Sequence, residues 1–539
     1  MNAARVSRKA PSSELSGSLP KEFAGLLAAS AYPHPADPIS LIETPISWVL
    51  LAGEFAYKIK RPVYYPFVDQ RDLERRRHLC QEELRLNQRF APQLYLEVCP
   101  IVADEGRVRV CLGPPGKDKV VEYAVRMRRF DAAEELDRQL ADGRIGTEAL
   151  DAFGRALADI HATLPTVSVD SPFGQPGSVR ELLLANLEQC ATAAEMLGDR
   201  AAVEVLRTPL ERGLAEAEPW MASRWASGRV RECHGDLHSR NIVVQAGRLV
   251  PFDCVEYEPA FRWIDVADEI AFLSSDLTAH GYSAHAHAFL AGYLERSGDY
   301  HACRIIRLYE AHRALVRAKV AALAAAQHSV DTEHVGLRAE HERLIAHAAV
   351  VLGERRPRLV VMNGLSGAGK TWLARQLAPA LGAVHLRSDV ERKRRAGLSD
   401  FERSNSGLAA GLYAAEISER VYDDLAREAY DALVGGYTVI VDATLLRRAD
   451  RRRFAELGAR LRAPAYLVTC RAPVSVLRER LRARAAAAQD PSEADESVLD
   501  WQRQRLEAVA AGEPFTRVTV DSSDPGAVQT VLASLTTPS

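Results

Sequence analysis

Several features are scarce in this 539-residue sequence, and each scarcity argues against a class of protein. There is no run of about 18 uncharged apolar residues, and the first segment lacks an apolar stretch, so we expect no membrane span, no secretory signal and a cytoplasmic location. The eight cysteines form no C-x-x-C pair, which argues against a disulfide framework and a zinc site. The 69 basic and 72 acidic side chains nearly balance, so the basic surplus typical of duplex nucleic-acid binders is missing.

The apolar pattern changes twice along the chain. A β-rich stretch leads into mostly helical sequence with one β-like island between Val230 and Phe252, which predicts a small and a large lobe. After a polar linker, apolar strands alternate with helices, as in an α/β domain with a parallel sheet. The predicted segments are a disordered start (1–20), a small lobe (21–130), a large lobe (131–345), a linker (346–357), a second domain (358–525) and a C-terminal tail (526–539).

A glycine-rich loop follows the first predicted strand of the second domain. The run from Gly364 to Thr371 fits the pattern G-x-x-x-x-G-K-[ST]. In such a loop, backbone N–H groups converge on phosphate oxygens, the lysine reaches the β- and γ-phosphates, and the final hydroxyl can bind Mg²⁺. The residues predicted to bind ATP are Gly364, Ser366, Gly367, Ala368, Gly369, Lys370 and Thr371, with Thr371 also a ligand of Mg²⁺.

Three further residues of this domain are candidates for chemistry. Asp442 ends an apolar strand and can hold the metal, although capping of the next turn explains it as well. Asp389 follows another apolar strand and can accept a hydroxyl proton, with a helix N-cap as the alternative. Arg484 lies in an arginine-rich helix before a loop at 485–491, which is consistent with a lid that brings a guanidinium to the transferring phosphate, or with a solvated helix face.

These motifs resemble the P-loop kinases that include polynucleotide 5′-hydroxyl kinases, gluconate-type kinases and zeta toxins. The resemblance covers about 357–525 and includes the segment from Pro491 to Gln502. It implies a parallel sheet flanked by helices, with Asp389 as the general base that binds the acceptor. Because members phosphorylate very different hydroxyls, the acceptor does not carry over.

A second motif lies in the large lobe, in the run His234-Gly235-Asp236-Leu237-His238-Ser239-Arg240-Asn241. Phosphoryl transfer to a hydroxyl needs a carboxylate to accept the proton and oxygen ligands for Mg²⁺. Asp236 fits the base, while Asn241 and, after a short hairpin, Asp253 fit the metal ligands. We interpret His234 as structural, and Glu256 either as support for the metal or as a surface residue.

This run resembles the aminoglycoside phosphotransferase and choline kinase branch of the protein-kinase-like fold, over about 21–345. The resemblance implies an α+β bilobal domain with a phosphate-binding lysine in the small lobe, paired with a glutamate on the next helix. We favour Lys58, with Lys60 as the alternative, and Glu83, with Glu82 as the alternative. No G-x-G-x-x-G loop precedes Lys58, and the metal-site sequence is Phe252-Asp253-Cys254.

The order of the two domains resembles bacterial fusions of an aminoglycoside phosphotransferase-like domain with an ATP-binding P-loop domain. It implies a bifunctional transferase that moves the γ-phosphate of Mg²⁺-ATP to small-molecule hydroxyls, with one site per domain. One alternative is an ATP-sensing regulatory protein. Another is a kinase for polynucleotide or nucleoside hydroxyls, because the basic residues at 387 and 392–395 could bind a phosphate backbone, although a solvated helix face is the commoner explanation.

Overall fold

The computed structural model describes residues 19–65, 68–104, 107–327, 332–399, 402, 404, 411–487 and 491–536. Most of the segment predicted to be disordered, 1–20, lies outside these residues. Packing divides the chain into two units. The first holds the residues up to Phe153 together with Asp159–Ala286 and Leu308–Leu352, and the second holds Gly154–Ala158, His287–Arg307 and the residues from Gly353 on.

The small lobe of the first unit is a six-stranded antiparallel sheet. Its strands follow the order β1-β2-β3-β8-β6-β7, and β2 and β3 form an antiparallel hairpin with its turn at residues 53–54. One face of the sheet buries an apolar cluster that includes Trp48, Leu50, Tyr57 and Ile59. The strands of this lobe are β1 (Ile39–Glu43), β2 (Ser47–Ala52), β3 (Phe55–Lys60), β4 (Tyr64–Tyr65), β5 (Val68–Asp69), β6 (Tyr95–Asp104), β7 (Arg107–Val110) and β8 (Lys119–Arg128).

Helix α1 (Leu73–Asn87) packs against β8 and β6 and carries the predicted glutamate. Asp72 caps its first turn by accepting from Arg75 N at 3.0 Å, which satisfies a backbone donor that would otherwise lack a partner. Leu79, Glu83 and Asn87 are four residues apart, share one face of the helix and are all buried, so this face is the one that packs against the protein.

The large lobe is mostly helical and contains two short two-stranded antiparallel sheets, the hairpin of β10 with β11 and the pair of β9 with β12. Its strands are β9 (Val230–Glu232), β10 (Ile242–Gln245), β11 (Arg248–Pro251) and β12 (Trp263–Asp265). The helices that follow α1 are α2 (Leu136–Ala141), α3 (Thr147–Thr163), α4 (Pro176–Glu195), α5 (Arg200–Glu204), α6 (Arg207–Ala226), α7 (Val266–Ala279), α8 (Ser283–Ser297), α9 (Ile306–Ala325) and α10 (Thr332–Leu352).

A five-stranded parallel sheet forms the centre of the second unit, in the order β14-β15-β13-β16-β17. Strands β13 and β15 are buried along their whole length and apolar up to their last residue, as expected where helices cover both faces of a parallel sheet. The strands are β13 (Leu359–Asn363), β14 (Val384–Arg387), β15 (Val439–Asp442), β16 (Ala465–Arg471) and β17 (Thr516–Asp521). The helices are α11 (Lys370–Leu381), α12 (Ser388–Arg395), α13 (Ala415–Val434), α14 (Arg448–Leu461), α15 (Val474–Ala487), α16 (Glu496–Arg505) and α17 (Ala527–Thr536).

Short 3-10 helices complete the described elements, at Lys21–Leu27, Ala29–Ala31, Ala132–Glu134, Ser239–Asn241, Pro259–Phe261, Tyr300–Arg304 and Gly411–Tyr413.

The structure differs from the predicted segments at three places. Helix α10 continues through residues 346–352, where a linker was predicted. Residues 527–536 form α17, whose Val531 and Leu535 lie in the apolar core, so this stretch is not a free tail. Helix α15 continues to Ala487, inside the loop predicted at 485–491, and residues 488–490 lie outside the described residues.

Two predictions from composition can be compared with the structure. The eight cysteines are free thiols, and all but Cys111 are buried. Among the described residues, no helix combines the length and apolar character that a membrane crossing requires.

Candidate functional site

In the first unit, ion pairs join strand β3 to helix α1 and to the loop after β11. The Lys58 ammonium donates to Glu83 Oε1 at 2.7 Å and also to Asp253 Oδ1. Burial lowers the pKa of Lys58, but Asp253 and Glu83 together raise it well above its usual range, so the side chain is charged. The Lys58–Glu83 pair implied by the resemblance therefore meets the separately predicted Asp253 at one ammonium group.

The alternatives Lys60 and Glu82 occupy different positions. Lys60 is buried further along β3, donates to the second oxygen of Glu83 and also donates to Glu256. Glu82 accepts from Arg85 Nη2 at 2.8 Å. Both lysines therefore contact Glu83. Period-two alternation places them on the same face of the strand and so could not choose between them. Glu256 is buried in this ion pair, so of the two alternatives for this residue the surface position was wrong.

Backbone contacts hold Asp253 in an unusual conformation. Its φ is +68°, in the left-handed region that non-glycine residues seldom occupy. The Asp253 N–H donates to Tyr95 Oη at 3.0 Å, and the Cys254 N–H donates to Asn87 Oδ1 at 3.0 Å. The Asn87 amide donates in turn to Glu83 O at 2.8 Å, so α1 and the loop of Asp253 are joined through neutral hydrogen bonds as well as through Lys58.

The loop from His234 to Asn241 brings the predicted base and one predicted metal ligand together. Asn241 Nδ2 donates to both the carboxylate Oδ2 and the backbone oxygen of Asp236, at 3.0 Å each. Phe252 N donates to Asn241 O at 2.9 Å, which brings the residue before Asp253 to this loop. Because its NH₂ group is used by Asp236, Asn241 offers its amide oxygen to a metal.

Beneath this loop lies a buried carboxylate. Glu269 accepts from His234 N at 2.7 Å and from Gly235 N at 3.0 Å. The His234 ring donates to Phe252 O at 2.9 Å, as expected for a structural histidine. Gly235 has a φ of +86°, and a Cβ atom there would lie 2.5 Å from Phe261 O, so the loop requires glycine at this position.

Other acidic residues of the stretch around 265–276 are also buried and paired. The pairs are Asp265 with Arg224, Asp268 with Arg313, and Asp276 with Ser239. A cavity of about 400 Å³ lies against the loop of Asp236. Its lining includes Ser239, Arg240, Asp276, His280 and Tyr282.

In the second unit, the glycine-rich loop lies at the carboxyl end of β13. Gly364, Gly367 and Gly369 have φ values of +140°, +80° and +81°. A Cβ atom would lie 2.9 Å from Leu477 O at Gly367 and 2.7 Å from the Ser522 Cβ at Gly369. The backbone of the loop can therefore adopt this conformation only with glycine at Gly367 and Gly369. With this conformation the N-terminal end of α11 is open to a ligand.

Lys370 is folded back over the loop. Its ammonium donates to Gly364 O and Leu365 O, at 2.9 Å each, and burial lowers its pKa while Asp442 partly opposes that effect. A cleft of about 920 Å³ opens beside it. The predicted residues that line this cleft are Ser366, Gly367, Gly369, Lys370, Thr371, Asp389, Asp442 and Arg484.

Three predicted loop residues do not offer their N–H groups to a phosphate in this conformation. Their acceptors are Thr444 O for Gly364 at 3.3 Å, Gln502 Oε1 for Ser366 at 2.8 Å, and Leu365 O for Ala368 at 3.1 Å. These three N–H groups therefore hold the shape of the loop in this conformation, and ATP binding by the three residues stays a prediction.

The three residues predicted to act on metal, acceptor or phosphate all have partners. Asp442 ends β15 and lies 3.3 Å from His385 Nε2; burial raises its pKa, but His385 outweighs burial and lowers it to about 2. Asp389, in the first turn of α12, accepts from Arg392 Nη1 at 3.2 Å. Arg484 donates to Ala494 O at 2.8 Å across the cleft wall.

Sequence reasoning missed two residues that contact the glycine-rich loop directly. Gln502 Nε2 donates to Ser366 Oγ at 2.9 Å, in addition to accepting from the Ser366 N–H. Arg480 donates to Ser522 Oγ at 2.8 Å and to Gly367 O at 3.3 Å. Arg480 lies one helical turn before Arg484, so its spacing in the arginine-rich helix was an available signal.

The basic cluster considered for nucleic acid is largely buried and paired. Arg394 donates to Glu391, Arg395 donates to Asp424, and Lys393 Nζ lies 3.6 Å from Glu493. Arg387 and Arg392 are buried. Arg394 is half-buried and Arg395 is exposed, so a solvated helix face does not describe most of the cluster. The contacts also leave little of the cluster to bind a phosphate backbone.

Family comparisons match both parts of the chain. Residues 67–306 match the phosphotransferase enzyme family, and residues 359–509 match a family described as AAA domain. The two matches lie in separate parts of the chain and support a two-domain fusion. The first match lies mainly in the α+β unit with the six-stranded antiparallel sheet, and the second lies in the α/β unit with the five-stranded parallel sheet.

The fusion has curated relatives of similar extent. An uncharacterized protein of Mycobacterium bovis and one of Mycobacterium tuberculosis are each 29% identical to it over 466 residues, which are 85% of this chain and 89% of the relative.

Solved structures are similar to parts of the chain. A gluconokinase from Sinorhizobium meliloti 1021 is 22% identical, with 34% of this chain and 93% of that chain covered and a TM-score of 0.25. A choline/ethanolamine kinase family protein from Mesorhizobium loti is 13% identical, with 61% and 99% covered and a TM-score of 0.32.

Proposed function

We propose that this protein transfers the γ-phosphoryl group of Mg²⁺-ATP to hydroxyl groups of small molecules at two sites, one in each unit. Both sites combine a lysine ammonium, oxygen ligands suited to Mg²⁺, and an aspartate for the acceptor proton. Mg²⁺-ATP would supply the phosphoryl group that the acceptor oxygen gains, with ADP released. The observation that carries this proposal is the contact of Lys58 with both Glu83 and Asp253, together with the contact of Asn241 with Asp236.

In the first unit, Lys58 would neutralise phosphate oxygens, and Asn241 and Asp253 would hold Mg²⁺. The fit rests on the donor set, because a carboxylate and an amide oxygen are the hard ligands that Mg²⁺ prefers. Asp236 would accept the acceptor's hydroxyl proton as the new oxygen–phosphorus bond forms. We assign the acceptor to the side of the loop where the cavity of about 400 Å³ lies.

In the second unit, Gly367, Gly369 and Lys370 would bind phosphate oxygens at the start of α11. Thr371 and Asp442 would hold Mg²⁺, directly or through its water shell, because both line the cleft. Asp389 lines the same cleft and would accept the hydroxyl proton. Lys370 would then exchange its bonds to loop carbonyls for bonds to phosphate, which a flexible ammonium can do without moving the backbone.

The test separates the two sites by the aspartate that each would use as a base. Purified protein with labelled ATP and a metabolite extract is expected to form labelled products, which are compared for the wild type, Asp236→Asn, Asp389→Asn and the double variant. The substitution to asparagine keeps the shape and removes the proton acceptor, so each variant should lose the products of one unit. Unchanged product formation by the double variant would refute the proposal.

The same experiment distinguishes the alternatives. A regulatory ATP sensor would bind ATP with no acceptor-dependent release of ADP. A polynucleotide kinase would label oligonucleotide ends in an Asp389-dependent manner, with binding that weakens steeply as salt rises.

A further inference from the structure

Five charged side chains of the first unit form one alternating series. The order is Asp253, Lys58, Glu83, Lys60 and Glu256, with each member in contact with the next. Two members lie on β3, one on α1, and two lie three residues apart on the loop after β11. The series therefore ties three separate elements together through charge.

Exposure divides the series into two ends. The Lys58 and Asp253 side chains are 13% and 14% exposed, whereas Lys60 and Glu83 are fully buried and Glu256 is 3% exposed. Only the partly exposed end can contact a nucleotide or a metal. The buried end must act through the exposed one.

We propose that Lys60 is a positioning residue of the first nucleotide site, holding Glu83 and Glu256 so that Lys58 remains available to phosphate oxygens. This inference rests on the proposed function of the first unit. In this proposal, Lys60 contacts neither the phosphate nor the metal. It supplies the buried positive charge that the two inner carboxylates require when Lys58 turns toward a ligand.

The charge count gives the physical reason. With three carboxylates and two ammonium groups the series carries −1, and without Lys60 it would carry −2. Lys58 would then be the one cation within the series for three carboxylates, and Glu83 would draw it inward. Removal of one partner from a buried ion pair leaves an uncompensated charge, whereas removal of both partners is often tolerated.

A paired substitution follows from this count. Lys60→Met removes one positive charge and Glu256→Gln one negative charge, so the double variant restores the net charge of −1 among the remaining groups. We therefore expect the second substitution to rescue the first. A residue that only fills space would give losses that add.

The test measures binding of a fluorescent ATP analogue with Mg²⁺ to the full chain in a Lys370→Ala background, which is intended to remove binding at the second unit. Lys60→Met is expected to weaken binding about tenfold or more, Glu256→Gln by less than about threefold, and the double variant should return to within about threefold of the background protein. Circular dichroism and thermal unfolding check that each variant is folded.

Each outcome decides one question. If the Lys370→Ala background binds no analogue, the proposed function of the first unit fails. If it binds and Lys60→Met binds equally well, or the double variant binds as poorly as Lys60→Met, only the positioning role fails. Should Lys60→Met not fold, the double variant still tests the charge count, because about tenfold weaker binding by a folded double variant would overturn it.

Discussion

Replacement of Glu269 by alanine tests how the loop of Asp236 is held in place. The carboxylate accepts from His234 N at 2.7 Å and from Gly235 N at 3.0 Å, and it is fully buried. Each donor left without a partner costs about 1–3 kcal/mol, so Glu269→Ala should lower the free energy of unfolding of the first unit by about 2–6 kcal/mol. Phosphoryl transfer dependent on Asp236 should fall as well, since the loop is no longer fixed.

Denaturant unfolding gives the stability, and hydrogen exchange of the peptide over 230–245 gives the local effect. Glu269→Gln keeps an acceptor oxygen and should lose less than the alanine variant. The matched control is Glu216→Ala on the exposed face of α6, which should change stability by less than about 0.5 kcal/mol. If Glu269→Ala unfolds like Glu216→Ala and its amides keep their protection, the support assigned to this carboxylate is refuted.

Three further perturbations have defined outcomes. Gly235→Ala should remove Asp236-dependent transfer because its Cβ would lie 2.5 Å from a carbonyl oxygen. The control is Gly247→Ala, because Gly247 also has a positive φ, +74° against +86° at Gly235, but a Cβ atom there would meet nothing within 4 Å. The control should lose only about 1 kcal/mol of stability and keep activity. The hydrogen bond to Glu340 raises the pKa of His280. The stability that this pair contributes should therefore be fully present below about pH 6.5 and should be lost as pH rises through the folded pKa of His280, as measured by unfolding assays. Glu340→Gln should flatten this pH dependence, and an unaltered slope would contradict the assignment. Gln502→Ala should raise the KM for ATP of the second unit, measured with Asp236→Asn as the background, and an unchanged KM would show that its bond to the loop is irrelevant to binding.

Local signals in the sequence predicted the two loops well. The glycine-rich run requires positive φ at fixed positions, and the structure has φ values of +80° and +81° at Gly367 and Gly369. The hairpin at 52–54 follows from alternation on both sides of a glycine turn. Asp236 and Asn241 are five residues apart, so their contact depends on little beyond the loop itself.

Contacts between distant segments could not be predicted in the same way. Ser366 and Gln502 are 136 residues apart, and nothing in either segment indicates that a glutamine would take an N–H group of the loop. Sequence reasoning gives Glu269 no definite role, because the acidic stretch around 265–276 is as compatible with a helix surface or N-caps as with an acceptor pocket. Its actual role depends on α7 packing beneath the loop of Asp236, which no periodicity encodes.

The choice between Lys58 and Lys60 shows a different limit. Alternation places both lysines on one face of β3, and the structure shows that both contact Glu83. Exposure separates them, since only Lys58 reaches the partly open end of the series. The burial of each lysine is set by the packing of α1 and the loop of Asp253 over the strand. It therefore depends on the folded unit and cannot be predicted from the strand alone.

The stoichiometry of Mg²⁺-ATP binding tests the central claim of two nucleotide sites most directly. Calorimetric titration of the full chain should give two sites for the wild type, one for Lys58→Met, one for Lys370→Met and none for the double variant. Removal of Mg²⁺ by a chelator should weaken binding at both sites. A wild type that binds one nucleotide, or a double variant that still binds two, would contradict the account.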